Sequence, residues 1–319
     1  MPPSPAIDIH QHLWPPELID ALRSRRRAPK MRGWTLILDG EPPYEVDPVD
    51  HDPVHRRELD QGRIVVGLSS PLGIEDLPPE EAAPLLTAWH DGAQRLRPAF
   101  DAWASVTNRD PDVGELRSRL AGGFVGLQVA ADRLATPATL ERTAAILRVC
   151  ETAGKPVFVH PGPVPARPDR TAILPTWWAA VVDYPSQLQA AWWSWQAVGR
   201  RLLPDLRICF AAGAGLGPVH HERFLARGGH PLVTDRRTFS TPRPTPGRGW
   251  TASSGSWGST RSSAAATART AGPPTPTWAR PPIMPCATPT RSASWKEHDH
   301  DCRPRDQRRR RHHPGAGGL

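Results

Sequence analysis

The stretch Ala6–Pro15, AIDIHQHLWP, ends a short apolar run with two histidines, His10 and His12, that stand one residue apart. The apolar residues are typical of a buried β-strand, and the Trp-Pro pair directly after them predicts that the strand ends there. Side chains two positions apart on a strand point to the same face. The stretch therefore predicts a core strand whose end presents two imidazole rings to one side.

Strand and helix patterns then alternate as far as about residue 235, which predicts a parallel sheet. With 319 residues, an eight-stranded (β/α)8 TIM barrel is the favoured α/β fold. A doubly wound open sheet is the alternative, but it would need a glycine-rich phosphate loop where HLWPPEL follows the first strand. The strand patterns cover residues 6–13, 63–70, 100–106, 124–131, 156–162 and 206–215, and an insertion with a hairpin is predicted over 33–57.

The composition changes near residue 238, where Ser, Thr, Pro, Ala, Gly and Arg become dominant and periodic apolar residues cease. This composition predicts a disordered, low-complexity tail over 238–319 after a barrel body over 1–237. Strands one to six of the barrel are therefore expected to be present, and strands seven and eight to be lost or disordered.

The formal charge of +8 is concentrated in the extreme tail, most densely in RPRDQRRRRHH at 303–313. We therefore expect a small-molecule substrate and no nucleic-acid partner, because the basic residues do not form a face of the body. The four scattered cysteines lack metal or disulfide spacing, and neither a signal peptide nor a membrane span is predicted. A cytoplasmic location is expected, and a homodimer is left open.

A third histidine, His160, closes the fifth strand pattern in VFVH. Barrel closure brings all strand ends to one mouth, so His160 is expected to join His10 and His12. Clustered imidazoles suit a divalent metal, which we predict to be Zn²⁺, with Mn²⁺ or Fe²⁺ as alternatives. The competing interpretation is that these are ordinary polar residues at strand ends.

Four further residues are candidates for the mouth of the barrel, each with a structural alternative. Gln128 lies on the fourth strand and Trp14 follows the first, so both are predicted to contact substrate, although Gln128 could equally be a polar residue lining the barrel. His220 and His221 begin the helix after the sixth strand. They are predicted catalytic residues, and a solvated first helical turn is the alternative.

Three segments together resemble a known superfamily: IDIHQHLWP at 7–15, KPVFVHPG at 155–162, and LRICFAAGAG at 206–215 followed by HHERF. They resemble the amidohydrolase-related metal hydrolases, and within these the branch that contains aminocarboxymuconate-semialdehyde decarboxylase. The resemblance covers about residues 6–235. It implies a β/α barrel in which His10, His12 and His160 bind the metal.

The same resemblance implies two residues that this chain lacks. Where the family has a histidine at the end of the sixth strand, the chain has Ala212. The base that this histidine supplies is therefore either missing or replaced, and His220 and His221 are the candidates to replace it. The Gly-Ser-Asp of the eighth strand, whose aspartate binds the metal, is missing from the tail.

The resemblance and the two missing residues lead to three possible functions. The first is hydrolysis of a small amide, ester or lactone by metal-activated water. The second is non-oxidative decarboxylation of a small unsaturated or aromatic acid. The third is a catalytically inactive remnant that has lost its last strands and its aspartate.

The tail also resembles the expected barrel sequence written in another reading frame. When GC-rich codons are regrouped from one base earlier, Phe239–Pro246 gives Leu-Asp-Thr-Ser-Ser-Tyr-Ala and Ala264–Thr270 gives Gly-Ser-Asp-Arg-Pro-Tyr. Trp250–Ser259 regroups into an amphipathic helix followed by the start of a strand, and Ile283–Lys296 into His-Ala-Leu-Arg-His-Ala-Asn-Pro-Leu-Arg-Leu-Leu-Glu-Gly. Directly after this segment, His298 and Asp299 can supply a stop codon. A frameshift near 235–239 would therefore account for the missing strands and the missing aspartate.

We expect the nucleotide sequence over codons 230–300 to show this shift, with the alternative frame encoding Gly-Ser-Asp beneath Ala264–Thr270. Sequencing of both DNA strands checks it. Codons over 238–298 that do not regroup into these segments would rule out the frameshift.

Overall fold

The computed structural model describes residues 7–39, 41–59, 62–164, 174–175, 177–230, 232 and 235–241, together with the backbone of 263–264. Contacts divide the chain into a unit Met1–Ala268 and a unit Arg269–Leu319, and every described residue belongs to the first. The predicted disordered tail over 238–319 thus lies outside the described residues, apart from 238–241 and 263–264.

Strands and helices alternate along the described chain, and the first six barrel strands lie within the predicted patterns but are shorter than them. The strands are β1 (Ile7–Gln11), β2 (Lys30–Arg32), β3 (Thr35–Ile37), β4 (Tyr44–Glu45), β5 (Arg63–Val66), β6 (Asp101–Ala102), β7 (Leu127–Ala130), β8 (Val157–His160), β9 (Ile208–Phe210), β10 (Thr238–Ser240) and β11 (Ser263–Ala264). The helices are α1 (Pro16–Ser24), α2 (Pro53–Leu59), α3 (Pro79–Arg95), α4 (Val113–Ala121), α5 (Pro137–Thr152), α6 (Tyr184–Ser194), α7 (Arg200–Leu202) and α8 (His221–Leu225). Two π-helical turns, Ala179–Asp183 and Trp195–Gly199, flank α6.

Parallel pairing joins the barrel strands in chain order, as a β/α barrel requires. One run is β1-β5-β6 and the other is β7-β8-β9-β10, all parallel. A parallel bridge between Ala104 and Leu127 links the two runs. Seven described strands therefore follow one another around the sheet, and the barrel prediction is confirmed for them.

The seventh position is occupied by β10, although its sequence falls within the predicted tail. Thr238 aligns with Ile208 and Ser240 with Phe210, and the backbone N–H of Thr241 donates to the Phe210 carbonyl at 2.9 Å. The expected loss of strand seven is thus corrected, because composition averaged over the tail conceals the short β-forming run TFST. An eighth parallel strand is not found among the described residues, and β11 runs antiparallel to β1.

The insertion predicted over 33–57 is a three-stranded antiparallel sheet, β2-β3-β4, followed by a turn at Pro48–His51 and by α2. Two of its hydrogen bonds reach the first strand and the residues that follow it. Gln11 Oε1 on β1 accepts one from Arg56 Nη2, and His51 Nδ1 accepts the other from the Trp14 backbone N–H at 3.0 Å. The insertion is therefore attached at the end of the first strand, beside the two histidines.

Aromatic rings fill the barrel interior beneath the histidines. The Trp103 and Phe158 rings stack with centroids 5.4 Å apart, and the Phe158 ring meets the His10 ring edge-on at 5.2 Å. Phe158 is fully buried and Trp103 nearly so. Both rings exclude water from the side of His10 that faces the core.

None of the helices in the described part of the chain is both long and apolar enough to cross a membrane.

Two phenylalanines on neighbouring strands provide a test of this packing. Phe210 on β9 is fully buried against Trp192, whereas Phe239 on β10 is 42 % exposed. We expect Phe210→Ala to lower the free energy of unfolding by about 3–5 kcal/mol, because it leaves a cavity in the core. The matched control Phe239→Ala should change it by roughly 0.5 kcal/mol or less. Urea unfolding followed by tryptophan fluorescence measures both, and equal losses would contradict the assigned inside and outside faces.

Candidate metal centre

Three histidines from two strands meet at one point inside the barrel mouth. His10 lies on β1 and His12 follows directly after its last residue, while His160 ends β8, the fifth barrel strand in chain order. One ligand atom of each lies within 4.8 Å of the others. His160 is 5 % exposed and the other two are partly buried. The structure thus brings together the three predicted metal ligands.

Backbone carbonyls fix the protonation of two of these rings. His12 Nδ1 lies 3.1 Å from the Gly67 carbonyl oxygen, and His160 Nδ1 lies 2.8 Å from the Pro161 carbonyl oxygen. A carbonyl oxygen only accepts hydrogen bonds, so both Nδ1 atoms must carry the hydrogen and donate it. In the neutral rings, both Nε2 atoms are then left with a lone pair.

The two Nε2 atoms, of His12 and His160, face each other at 3.1 Å. Two lone pairs at this distance repel each other unless a cation lies between or beside them. A shared proton does not fit at neutral pH, because burial lowers the pKa of His12 to about 4 and holds the pKa of His160 well below its usual value. The arrangement fits a metal ion, for which neutral imidazole nitrogens are suitable ligands.

His10 completes the cluster from the same face of β1. Burial lowers the pKa of His10 to about 3, so this ring is also neutral at physiological pH. Its ring centroid lies 4.9 Å from that of His160 and 5.3 Å from that of His12. Among the described residues, the potential metal cluster holds these three histidines and no carboxylate. The resemblance implies an aspartate on strand eight, but the sequence has no Gly-Ser-Asp to supply it.

The insertion adds two residues near the histidines that the sequence analysis did not single out. The His51 ring stacks on Trp14 with centroids 4.3 Å apart, and burial lowers the pKa of His51 to about 3. Arg56 is only 3 % exposed and donates a hydrogen bond to Gln11, which lies between His10 and His12 in the sequence. The polar run HDPVHRR at 51–57 contains both residues and could have marked them as candidates. Its place near the histidines could not be predicted, because an insertion has no fixed register with the barrel strands.

The predicted substrate-binding residues Trp14 and Gln128 are both buried. The Trp14 ring is 2 % exposed, its Nε1–H donates to Ser69 Oγ at 2.9 Å, and His51 covers one face. Gln128 Nε2 donates to the Leu68 carbonyl and to a serine hydroxyl in the loop after β5. Contact of either side chain with substrate stays a prediction.

The two predicted catalytic histidines follow β9, and neither belongs to the cluster of His10, His12 and His160. His220 lines an open groove beside Trp193 and Arg223, and His221 begins α8. Ala212, where the resemblance implies a histidine, adopts a left-handed conformation with φ of 44°, and Thr241 Oγ1 accepts a hydrogen bond from its N–H at 3.0 Å. The catalytic role of His220 and His221 stays a prediction.

Comparison with solved structures identifies the same architecture in other proteins. The chain is similar to IDCase from Metarhizium anisopliae, with a TM-score of 0.58, 16 % identity and coverage of 74 % of this chain and 77 % of that one. It is similar to an amidohydrolase II, with a TM-score of 0.56, 17 % identity and coverage of 74 % and 78 %.

The chain shares the β/α-barrel fold of these two proteins. A third structure, 5-carboxyvanillate decarboxylase from Sphingomonas paucimobilis, agrees, with a TM-score of 0.52, 16 % identity and coverage of 74 % and 79 %. No model of a protein family and no curated protein matches the chain in sequence. In this β/α-barrel fold, the three histidines stand at the mouth formed by the ends of the parallel strands.

The facing Nε2 atoms predict that one substitution has opposite effects on metal binding and on the stability of the metal-free chain. In His160→Gln, the amide can donate a hydrogen bond to His12 Nε2 and so remove the repulsion of the lone pairs. We therefore expect the variant to lose metal binding, while the metal-free chain keeps or gains stability.

Isothermal titration with Zn²⁺ or Mn²⁺ and thermal unfolding of the metal-free chain measure the two effects. The exposed His230 provides the control variant His230→Gln, which should bind the metal as the unaltered chain does. Undiminished metal binding by His160→Gln would contradict the assigned site.

Proposed function

We propose that the chain is a metal-dependent enzyme that removes a carboxyl group from a small aromatic or unsaturated acid without oxidation. The observation that carries the proposal is the pair of Nε2 atoms, from His12 and His160, that face each other across 3.1 Å in a neutral cluster. The fold shared with a 5-carboxyvanillate decarboxylase supports decarboxylation as the reaction class.

In such a reaction the carbon–carbon bond to the carboxylate breaks and carbon dioxide leaves. The electron pair of that bond stays on the substrate carbon, which then takes up a proton, so that a C–H bond replaces the C–C bond. A bound divalent metal supplies positive charge that stabilises the negative charge developing on the substrate.

The chain's own residues would hold the metal and shape the space around it. His10, His12 and His160 bind the metal in the proposal, and the Trp103 and Phe158 rings keep water from the core side. Because His51 Nδ1 accepts a hydrogen bond from Trp14, the neutral His51 ring carries its hydrogen on Nε2. His51 would thus offer a hydrogen-bond donor rather than a base.

Hydrolysis of a small amide, ester or lactone is the second candidate. The similarity to an amidohydrolase II supports it, and so does Ala212, which replaces the histidine that the decarboxylase branch resemblance implies. Here water adds to the carbonyl carbon, the bond to the amine or alcohol breaks, and the leaving group takes a proton. His220 or His221 would provide the base in this alternative.

The remaining assignments belong to the same proposal. Zn²⁺ is the proposed metal, with Mn²⁺ and Fe²⁺ as alternatives, because imidazole nitrogens suit all three. The proposed partner is a small molecule, with no nucleic acid and no membrane, and the proposed location is the cytoplasm. A homodimer is the proposed assembly if the chain associates.

A two-panel assay separates the reactions. The full chain, loaded with Zn²⁺ or Mn²⁺, is incubated in deuterium oxide with carboxyl-¹³C aromatic acids, including 5-carboxyvanillate, and separately with amides and lactones. We expect labelled carbon dioxide and a product with one deuterium at the carbon that carried the carboxylate. The matched control is His12→Gln, which should release none.

Release of amine or opening of lactone rings without carbon dioxide would establish the hydrolase instead. A chain that binds metal but turns over neither panel would contradict both activities and leave the inactive remnant.

A further inference from the structure

The loop that follows β5 holds the carbonyl against which His12 is fixed. Gly67 donates its N–H to the Gln11 carbonyl at 2.8 Å and offers its own carbonyl to His12 Nδ1 at 3.1 Å. The next three residues, Leu68, Ser69 and Ser70, are between 0 and 2 % exposed. The loop is therefore buried, and its position determines where the Gly67 carbonyl points.

Gln128 reaches this loop from β7, two strands away in the sheet. Its Nε2 donates two hydrogen bonds, one to the Leu68 carbonyl and one to Ser70 Oγ at 2.9 Å. Both donors of the amide are thus used within the loop, and the side chain is 2 % exposed. The amide nitrogen therefore binds the loop, while the buried Oε1 has no hydrogen-bond partner among the described residues.

Close packing makes the contact between Gln128 and Gly67 specific. A Cβ atom placed on Gly67 would clash with Gln128 Oε1, so that one of the two would have to move. The glycine therefore allows the amide plane to sit directly against the backbone whose carbonyl meets His12. Any larger residue at position 67 would displace the amide or the loop.

Ser70 extends the chain of hydrogen bonds in one direction. Because its oxygen accepts from Gln128, its hydroxyl hydrogen goes to Glu75 Oε1, at 2.7 Å. Glu75 is 4 % exposed, and burial raises its pKa to about 7. The hydrogen bonds from Gln128 to Ser70 and from Ser70 to Glu75 form a buried network that holds the loop in place.

We propose that Gln128 and Ser70 are positioning residues that hold the Gly67 carbonyl against His12 and so fix the tautomer and ring orientation of this metal ligand. The inference rests on the proposed metal centre and extends it beyond the three ligands. Groups that orient metal-bound histidines commonly determine affinity nearly as strongly as the ligands do.

Metal affinity of the full chain tests the proposal. We expect Gln128→Leu and Ser70→Ala to weaken Zn²⁺ or Mn²⁺ binding by about 10–100-fold, as measured by competition with a chelator. Ser105→Ala is the matched control, because Ser105 is equally buried and its hydroxyl has no hydrogen-bond partner in the described structure. Glu75→Gln keeps an oxygen that accepts from Ser70 and should retain the affinity.

The tautomer of His12 provides a second readout that does not need metal. In the metal-free chain labelled with ¹⁵N-histidine, we expect His12 to show a protonated Nδ1 and an unprotonated Nε2, assigned by comparison with His12→Gln. Gln128→Leu and Ser70→Ala should convert this signal to a mixture of tautomers, and Ser105→Ala should not.

The two readouts separate failure of the inference from failure of the proposed function. An unaltered chain that binds no metal would overturn the metal centre, while its ¹⁵N spectrum would still decide the role of Gln128 and Ser70. Wild-type affinity and a wild-type tautomer in both variants would overturn the inference. If Gln128→Leu does not fold, Ser70→Ala decides the outcome against Ser105→Ala.

Discussion

The hydrogen bonds from His12 and His160 to the carbonyls of Gly67 and Pro161 hold two imidazole rings with their Nε2 atoms 3.1 Å apart. Each bond commits one ring nitrogen as a donor and leaves the other with a lone pair aimed at the same point. Burial keeps both rings neutral, so charge repulsion between imidazolium groups does not arise. The chemistry of the site follows from this arrangement, because a cation relieves the repulsion of the lone pairs.

The parallel sheet makes that arrangement possible. His12 and His160 are separated by 148 positions in sequence, and they meet because β1 and β8 point their carboxyl ends to the same mouth. The parallel bridge between Ala104 and Leu127 joins the two runs of strands that carry them. The stacked interior rings of Trp103 and Phe158 then provide an apolar floor under His10.

Much of the fold could be predicted from local patterns. The apolar runs that end in histidines predicted β1 and β8, and the alternation of strand and helix patterns predicted the parallel sheet. The strand Thr238–Ser240 was not predicted, because three residues carry too little periodicity against a Ser- and Pro-rich background. Its pairing with β9 depends on a neighbouring strand rather than on its own composition.

The sequence by itself determined the order of strands and helices and which three histidines end strands, because buried strands and amphipathic helices have distinct periods. Only the tertiary structure decided which ring nitrogens face one another, that His51 reaches the first strand, and that Gln128 binds a loop two strands away. The physical reason is that hydrogen-bond direction depends on backbone carbonyls brought together by folding, and no local pattern of side chains records where those carbonyls point.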